Sequence, residues 1–356
     1  MNDTNSKTRN VFRPISFVSG WRNEWLARII VVLLVITAIA IPVAFAWQRR
    51  SPGILIHARM AETGGWTPEN LTVVAGQPLH LRLTSDDVTH GFAVGQSDQP
   101  AVDVLPGEIT DITLMFDKPG KYTFYCTRWC SVNHWRMRGV IEVTAPPGET
   151  IKPSAVEPPL YIRLGLDIDA PHTADILPSQ RPSADRGALF SQDVPAVYLT
   201  SAYYLSHSPV EFWRLLREEP SLLDLSDQKI WDLVAWIWQS NTTPLELADG
   251  RKLFTANCAA CHGEQGQGDG VFSKALAQKA AGEQADMPAG AMAKEPANFT
   301  DPRSMLSASP AHLQGKILRG GMGTSMPYWG PIFTDEQTWE LIAYLWTFQF
   351  DMETKP

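Results

Sequence analysis

The 356-residue chain has little cysteine and histidine, four and eight residues respectively, so each can be followed individually. All four cysteines fall in two close pairs, Cys126/Cys130 and Cys258/Cys261, and none is left over. A disulfide framework would spread its bridges over a small domain, so this pairing points instead to metal or cofactor chemistry. Positive charge is also short: 30 Lys and Arg stand against 38 Asp and Glu, a net charge of −8. That excludes the basic face that nucleic-acid binding requires. Charged residues make up only 19% and hydrophobic ones 44%, which excludes a disordered chain. Long apolar runs are scarce as well. There is one, which excludes a multi-span membrane protein. At ~150 residues per domain, the length predicts two or three domains.

The single apolar run, Ile29 to Trp47, has 19 residues without a charge, close to the ~20 that cross a bilayer. Trp25 and Trp47 flank it, where aromatic belts belong, and Pro42 inside it is tolerated in membrane helices. Ala44-Phe45-Ala46 resembles a signal-peptide cleavage site, but the run exceeds the ~7–15 residues of a signal's apolar region. We expect 1–28 to be a cytoplasmic tail and 29–47 a transmembrane helix.

Over residues 53–144 the pattern changes to period two. Leu79, Leu81 and Leu83 alternate with His80, Arg82 and Thr84, and Ile112, Leu114 and Phe116 with Asp111, Thr113 and Met115. Half-buried antiparallel strands separated by Pro106-Gly107 and Pro119-Gly120 turns predict a β-sandwich. One strand runs into Cys126-Thr-Arg-Trp-Cys130-Ser-Val-Asn-His134-Trp-Arg-Met137, and Asp87-Val-Thr-His90 lies upstream. Soft sulfur donors with imidazole select copper or zinc. A blue-copper site needs one Cys, and here there are two. A disulfide or a zinc site would use the cysteines, but neither explains His90 together with Met137.

The pattern C-x3-C-x3-H-x2-M with an upstream His resembles the CuA domain of cytochrome c oxidase subunit II, and Asp103-Val-Leu-Pro106-Gly107 resembles that family's intervening segment. The resemblance implies a cupredoxin-like fold and two copper ions bridged by Cys126 and Cys130. His90 and His134 would be terminal ligands, Met137 a weak ligand, and Arg128 a ligand through its backbone carbonyl. The family usually carries Glu at the Arg128 position; a carbonyl ligand leaves the side chain replaceable. Trp129 and Trp135 flank these positions, as packing or as shielding.

Residues 145–183 are Pro-rich and read as an extended linker, with Leu160-Tyr-Ile-Arg-Leu available as an edge strand. Beyond it, Cys258-Ala-Ala-Cys261-His262 is the attachment pattern of c-type haem. Met326-Pro327 follows, and then an amphipathic stretch from Asp335 to Phe348. This order resembles class I cytochrome c over 245–350. The resemblance implies one covalent haem c on Cys258 and Cys261, with His262 and Met326 as axial ligands. Met322 is the nearest rival to Met326. Met287, Met292 and Met305 read as filler, and His312 as a surface residue. Residues 273–300, rich in Ala and Gln, read as a surface insertion.

An internal match lies upstream. Asp227, Trp231, Leu233, Ala235 and Trp238 answer Asp335, Trp339, Leu341, Ala343 and Trp346. Ala184-Asp185-Arg-Gly-Ala-Leu189-Phe190 answers Ala248-Asp249-Gly-Arg-Lys-Leu253-Phe254. Without a gap, Val194, Val197 and Tyr198 stand where Cys258, Cys261 and His262 are. Residues 184–240 therefore read as a degenerate, haemless cytochrome-like unit with a Trp-rich helix (Trp231, Trp236, Trp238), a spacer between the cofactor domains. His207 reads as a surface residue there.

The expected molecule is multidomain: one N-terminal transmembrane helix, an all-β cupredoxin-like sandwich, and an all-α cytochrome c domain preceded by the haemless repeat. One span cannot build a helix bundle around buried haems, so a catalytic membrane subunit of haem-copper (subunit I) type is the expected partner, together with a soluble or membrane electron donor. The expected role is electron entry to a haem-copper oxidase at the outer face of a bacterial inner membrane. The alternatives are the same role in a CuA-type nitric oxide reductase, or a membrane-anchored copper-binding or assembly protein.

Overall fold

The computed structural model describes residues 20–48, 53–148, 157–276, 295–321 and 326–352. The apolar run lies within helix α1 (Gly20–Gln48). Its stretch Glu24–Ile41 has a mean hydropathy of 2.3 and, by length and composition, is a candidate membrane span. The Thr37 hydroxyl donates to the Leu33 carbonyl at 2.8 Å, so this polar group is satisfied inside the helix, as a span requires.

A second unit begins at Ile54. Its first part is a sandwich of β1 (Ile54–Ala58), β2 (Trp66–Thr67), β3 (Asn70–Val74), β4 (Leu79–Ser85), β5 (His90–Val94), β6 (Val102–Val104), β7 (Thr110–Leu114), β8 (Gly120–Cys126) and β9 (Arg138–Thr144). One sheet has the order β2-β1-β4-β7 and the other β3-β9-β8-β5-β6. The alternation along β4 places Leu79, Leu81 and Leu83 in the core, with Trp66, Phe92 and Phe124 packed beside them. Two pairs differ from the expected antiparallel arrangement: β1 runs parallel to β4, and β3 parallel to β9. Period two reports which face is buried, not which way the neighbouring strand runs. In β5 and β8, Phe92 pairs with Cys126. This register brings His90 and Cys126 to the same end of one sheet.

The linker departs from expectation. Leu160–Arg163 is a short helix, α2, rather than an edge strand. Pro158-Pro159 precedes it, and fixed proline φ suits a helix start. The segment also docks on the helices that follow. Tyr161 N donates to Gln314 Oε1 at 3.3 Å, Asp169 pairs with Lys316 and Arg319, and Ala174 N donates to the Arg303 carbonyl at 2.8 Å. These partners lie far along the chain, so local composition gives no sign of them.

The helical part contains α3 (Ala184–Ala188), α4 (Ser201–Ser206), α5 (Pro209–Glu218), α6 (Asp227–Ser240), α7 (Pro244–Asn257), α8 (Ala259–His262), α9 (Pro302–Met305), α10 (Pro310–Arg319) and α11 (Asp335–Leu345). Capping boxes start three of them: Ser208 with Glu211, Thr243 with Glu246, and Thr334 with Gln337. Two helix crossings repeat each other. A Cβ at Gly187 would lie 2.0 Å from the Asp232 carbonyl oxygen, and one at Gly250 would lie 2.0 Å from that of Glu340. Asp232 and Glu340 are matched positions of the internal repeat, so Gly187 answers Gly250. That shifts the ungapped alignment by one residue. In the structural register Pro195, Tyr198 and Leu199, not Val194, Val197 and Tyr198, stand opposite Cys258, Cys261 and His262. None of them is a haem-binding side chain.

The haemless segment and the cytochrome segment share one core rather than forming a spacer and a domain. Trp231, Trp238, Trp346 and Phe350 are fully buried in the same cluster, with the rings of Trp238 and Trp346 5.6 Å apart.

Candidate copper and haem sites

The copper loop follows β8. Its backbone folds on itself through Cys130 N to the Arg128 carbonyl (2.8 Å), His134 N to that of Ser131 (3.1 Å) and Met137 N to that of His134 (2.9 Å). The result is a tight donor set. Cys126 Sγ lies 3.9 Å from Cys130 Sγ, 3.8 Å from His90 Nδ1 and 3.3 Å from the Arg128 carbonyl oxygen. Cys130 Sγ lies 3.5 Å from Met137 Sδ. The donor atoms of His90, Cys126 and Cys130 all fall within 4.8 Å of one another. The sulfur separation is far beyond the ~2.05 Å of a disulfide, and all four cysteines are free. Five of the six predicted positions are thus gathered, and the sixth, His134, is buried.

The surroundings prepare the donors. Asp87 Oδ1 accepts from His90 Nε2 at 2.7 Å, which leaves Nδ1, the nitrogen facing Cys126, with its lone pair. Burial works against a charged His90, but Cys126 and Asp87 outweigh it and raise its pKa. The Cys130 hydrogen bond, with help from both imidazoles, lowers the Cys126 thiol to about 3 against the effect of burial. Cys130 shifts the other way, because the neighbouring thiolate and burial both favour its neutral form. The Arg128 side chain turns away from the donors and forms a two-pronged pair with Asp103, at 2.9 and 2.8 Å, fixing the peptide whose carbonyl faces Cys126.

These residues fit copper. Two thiols, a thioether and two imidazoles form a soft set, and His134 Nδ1 is buried with no hydrogen-bond partner. When bound, copper would supply a one-electron carrier held by thiolate sulfur. Asp87 is the partner that sequence reasoning passed over, although Asp87-Val-Thr-His90 displays it at the right spacing.

The haem motif lies at the junction of α7 and α8. Burial pushes the Cys258 thiol up to about 12 and that of Cys261 to about 11, so both are neutral thiols at physiological pH. His262 Nδ1 lies 3.0 Å from the Ala297 carbonyl oxygen, which orients the ring and leaves Nε2 for a metal. The ring stacks on Phe299 at 4.6 Å. Burial lowers the His262 pKa, with the Ala297 contact opposing, which favours neutral imidazole. Cys258, Cys261, His262 and Met326 all line one cavity of about 880 Å³. A cavity with two thiols, an oriented imidazole and a thioether on its wall fits haem c.

Other residues also line it. Met305 packs in the buried core and also reaches the wall, and His312 is buried there rather than on the surface. His172 of the linker packs edge-on against His312 at 4.4 Å, and burial, then His172, lower His312 to about 4. A contact from 140 residues upstream is invisible to local pattern. The predicted rival Met322, the predicted filler residues Met287 and Met292, and most of the predicted insertion lie outside the described residues. His207 stacks on Tyr203 at 4.0 Å, away from both donor sets.

The same cavity is walled on one side by His134, Trp135 and Arg136 of the copper loop. His134 lies 6.2 Å, ring to ring, from Phe272.

Residues 65–144 match the family described as cytochrome c oxidase subunit II, periplasmic domain, and residues 247–349 match cytochrome c. The cytochrome c oxidase subunit 2 of Thermus thermophilus is 37% identical over 79 residues, 22% of this chain and 58% of that one. The nitrous-oxide reductase of Ralstonia nicotianae is 40% identical over 74 residues, 20% of this chain and 11% of that one. The solved periplasmic domain of subunit II of the cytochrome oxidase of Bradyrhizobium japonicum aligns at 24% identity over 21% of this chain and 54% of that one, with a TM-score of 0.20. The chain thus spans little more than half the length of the first of these relatives. It joins a cytochrome c oxidase subunit II periplasmic domain to a cytochrome c domain in one polypeptide, an arrangement suited to electron transfer.

Proposed function

We propose that the chain is the electron-entry subunit of a membrane haem-copper oxidase, in which electrons pass from haem c to a binuclear CuA centre and on to a subunit I-type catalytic partner. One observation carries the reading: the wall of the haem cavity includes His134, a donor of the copper set. No diffusing carrier is then needed between the two sites.

In this reading His90, Cys126, Cys130, His134, Met137 and the Arg128 carbonyl would hold two copper ions. Cys258 and Cys261 would hold the haem, with His262 and Met326 supplying ligands to its iron. Each transfer moves one electron, with the donor oxidised and the acceptor reduced, and makes or breaks no bond. The chain's own contribution is to keep the donors fixed and partly dry, through Asp87 on His90, Asp103 on Arg128 and Ala297 on His262. Residues 184–240 are a haemless copy retained for its core. Helix α1 anchors the chain in a bacterial inner membrane with residues 1–28 inside and the cofactor domains on the outer face, where covalent haem attachment takes place.

The test is to purify the intact membrane complex and measure oxygen and nitric oxide consumption. Oxygen consumption by a complex that retains a subunit I-type chain is the expected result. A complex that consumes nitric oxide and not oxygen would assign the chain to a nitric oxide reductase instead.

A further inference from the structure

The sandwich grips the cytochrome at one place in particular: the segment that follows Met326. Arg138 stands next to Met137 of the copper set. Its Nη1 donates to the Tyr328 carbonyl at 2.8 Å, while its Nε donates to the Trp135 carbonyl at 2.9 Å. The guanidinium also lies over two rings of the same segment, 4.9 Å from the centroid of Tyr328 and 5.5 Å from that of Trp329.

Gln96, two residues past β5, holds the next turn. Its backbone N donates to the Ile332 carbonyl and its Nε2 to the Gly330 carbonyl, both at 2.8 Å. The approach is close enough that a Cβ at Gly95 would sit 2.4 Å from the Pro331 carbonyl oxygen. A third tie reaches the other haem-bearing segment: Trp129, next to Cys130, donates Nε1 to the Ala256 carbonyl at 2.9 Å, two residues before Cys258. The segment from Tyr328 to Phe333 is also fixed from the cytochrome side, by Trp329 N to the Ile317 carbonyl at 3.1 Å.

We propose that Arg138 and Gln96 are positioning residues that hold residues 328–332 in place behind Met326, so that the copper domain sets how firmly Met326 would stay on a bound haem's iron. This rests on the assignment of Met326 as axial ligand. It goes beyond the electron-entry reading in making the interface a control on haem ligation and not only a route. Its chemistry is charge-assisted: a cation donates to a backbone carbonyl two residues from the ligand, and such bonds are stronger than neutral ones. Burial lowers the Arg138 pKa, with Tyr328 opposing, in keeping with a guanidinium enclosed between the domains.

Imidazole binding to the ferric haem of the full-length, copper-loaded protein reads this directly, because imidazole competes for the position Met326 holds. The variants are Arg138→Met, Arg138→Lys, Gln96→Ala and, as the open limit, Met326→Ala. Losing a charged hydrogen bond predicts imidazole affinity roughly ten- to a hundredfold higher in Arg138→Met. A smaller rise is expected in Gln96→Ala, with its copper spectrum unchanged, and Arg138→Lys should fall between wild type and Arg138→Met. Should Arg138→Met not fold, Gln96→Ala alone decides. Wild-type imidazole affinity in the folded Arg138 and Gln96 variants, alongside tight binding in Met326→Ala, overturns the brace while leaving the ligand assignment standing. Wild-type affinity in Met326→Ala itself overturns the ligand assignment, and the brace with it.

Discussion

Replacing Cys130 by serine is expected to abolish the binuclear copper signature outright and to drop the copper content from two ions per chain to one or none. Cys130 Sγ stands between the other two sulfur donors, 3.9 Å from Cys126 Sγ and 3.5 Å from Met137 Sδ. A serine hydroxyl is hard and stays protonated, so it replaces neither the charge nor the softness of a thiolate. Haem content should not change, because Cys258 and Cys261 belong to a different part of the chain, and Cys130 is not among the residues that line their cavity. Copper and haem analysis of the purified variant, with its visible and paramagnetic resonance spectra, checks both halves. Two coppers retained in the Cys130→Ser protein would refute the bridging role.

The second large effect is expected at the haem. Met326→Ala removes the thioether proposed as the second iron ligand with His262, and Met/His ligation is what raises the potential of a c-type haem. The midpoint should fall by on the order of 100 mV, a modest part of the roughly 0.8 V range that axial ligands span, and the ferric iron should accept imidazole or cyanide readily. Met305→Ala is the proper comparison, since Met305 lines the same cavity. If Met305→Ala lowers the potential and Met326→Ala does not, the axial assignment moves to Met305.

The two donor sets were legible because each is compact in sequence. The copper loop spans Cys126 to Met137 and the haem motif spans five residues, and their spacings follow from a tight loop and a single helical turn. The remote donor His90 was legible through the family resemblance, and the fold places it by strand register, with Phe92 opposite Cys126. What stayed hidden depends on distant contacts. The Pro-rich linker reads as extended until Gln314, Lys316 and Arg319 give it something to dock on. His312 reads as exposed until His172 covers it. The Trp-rich helix reads as a separate unit because nothing in its own periodicity reveals that Trp238 packs on Trp346. The interface through Gln96, Trp129 and Arg138 left no mark at all, since its acceptors are backbone carbonyls, which carry no residue identity.

The central claim is that the haem and copper sites of one chain exchange electrons across this fixed interface. A tether would give a similar apparent rate only through an effective concentration, on the order of millimolar for a short flexible linker. The direct measurement is rapid photoreduction of the haem in full-length, copper-loaded protein, with the haem and copper absorption bands followed together at several protein concentrations. Haem reoxidation and copper reduction should share one rate constant, unchanged over a roughly tenfold range of concentration, and Cys130→Ser should remove the phase. A rate that scales with protein concentration, or a haem that stays reduced beside oxidised copper, would contradict the claim.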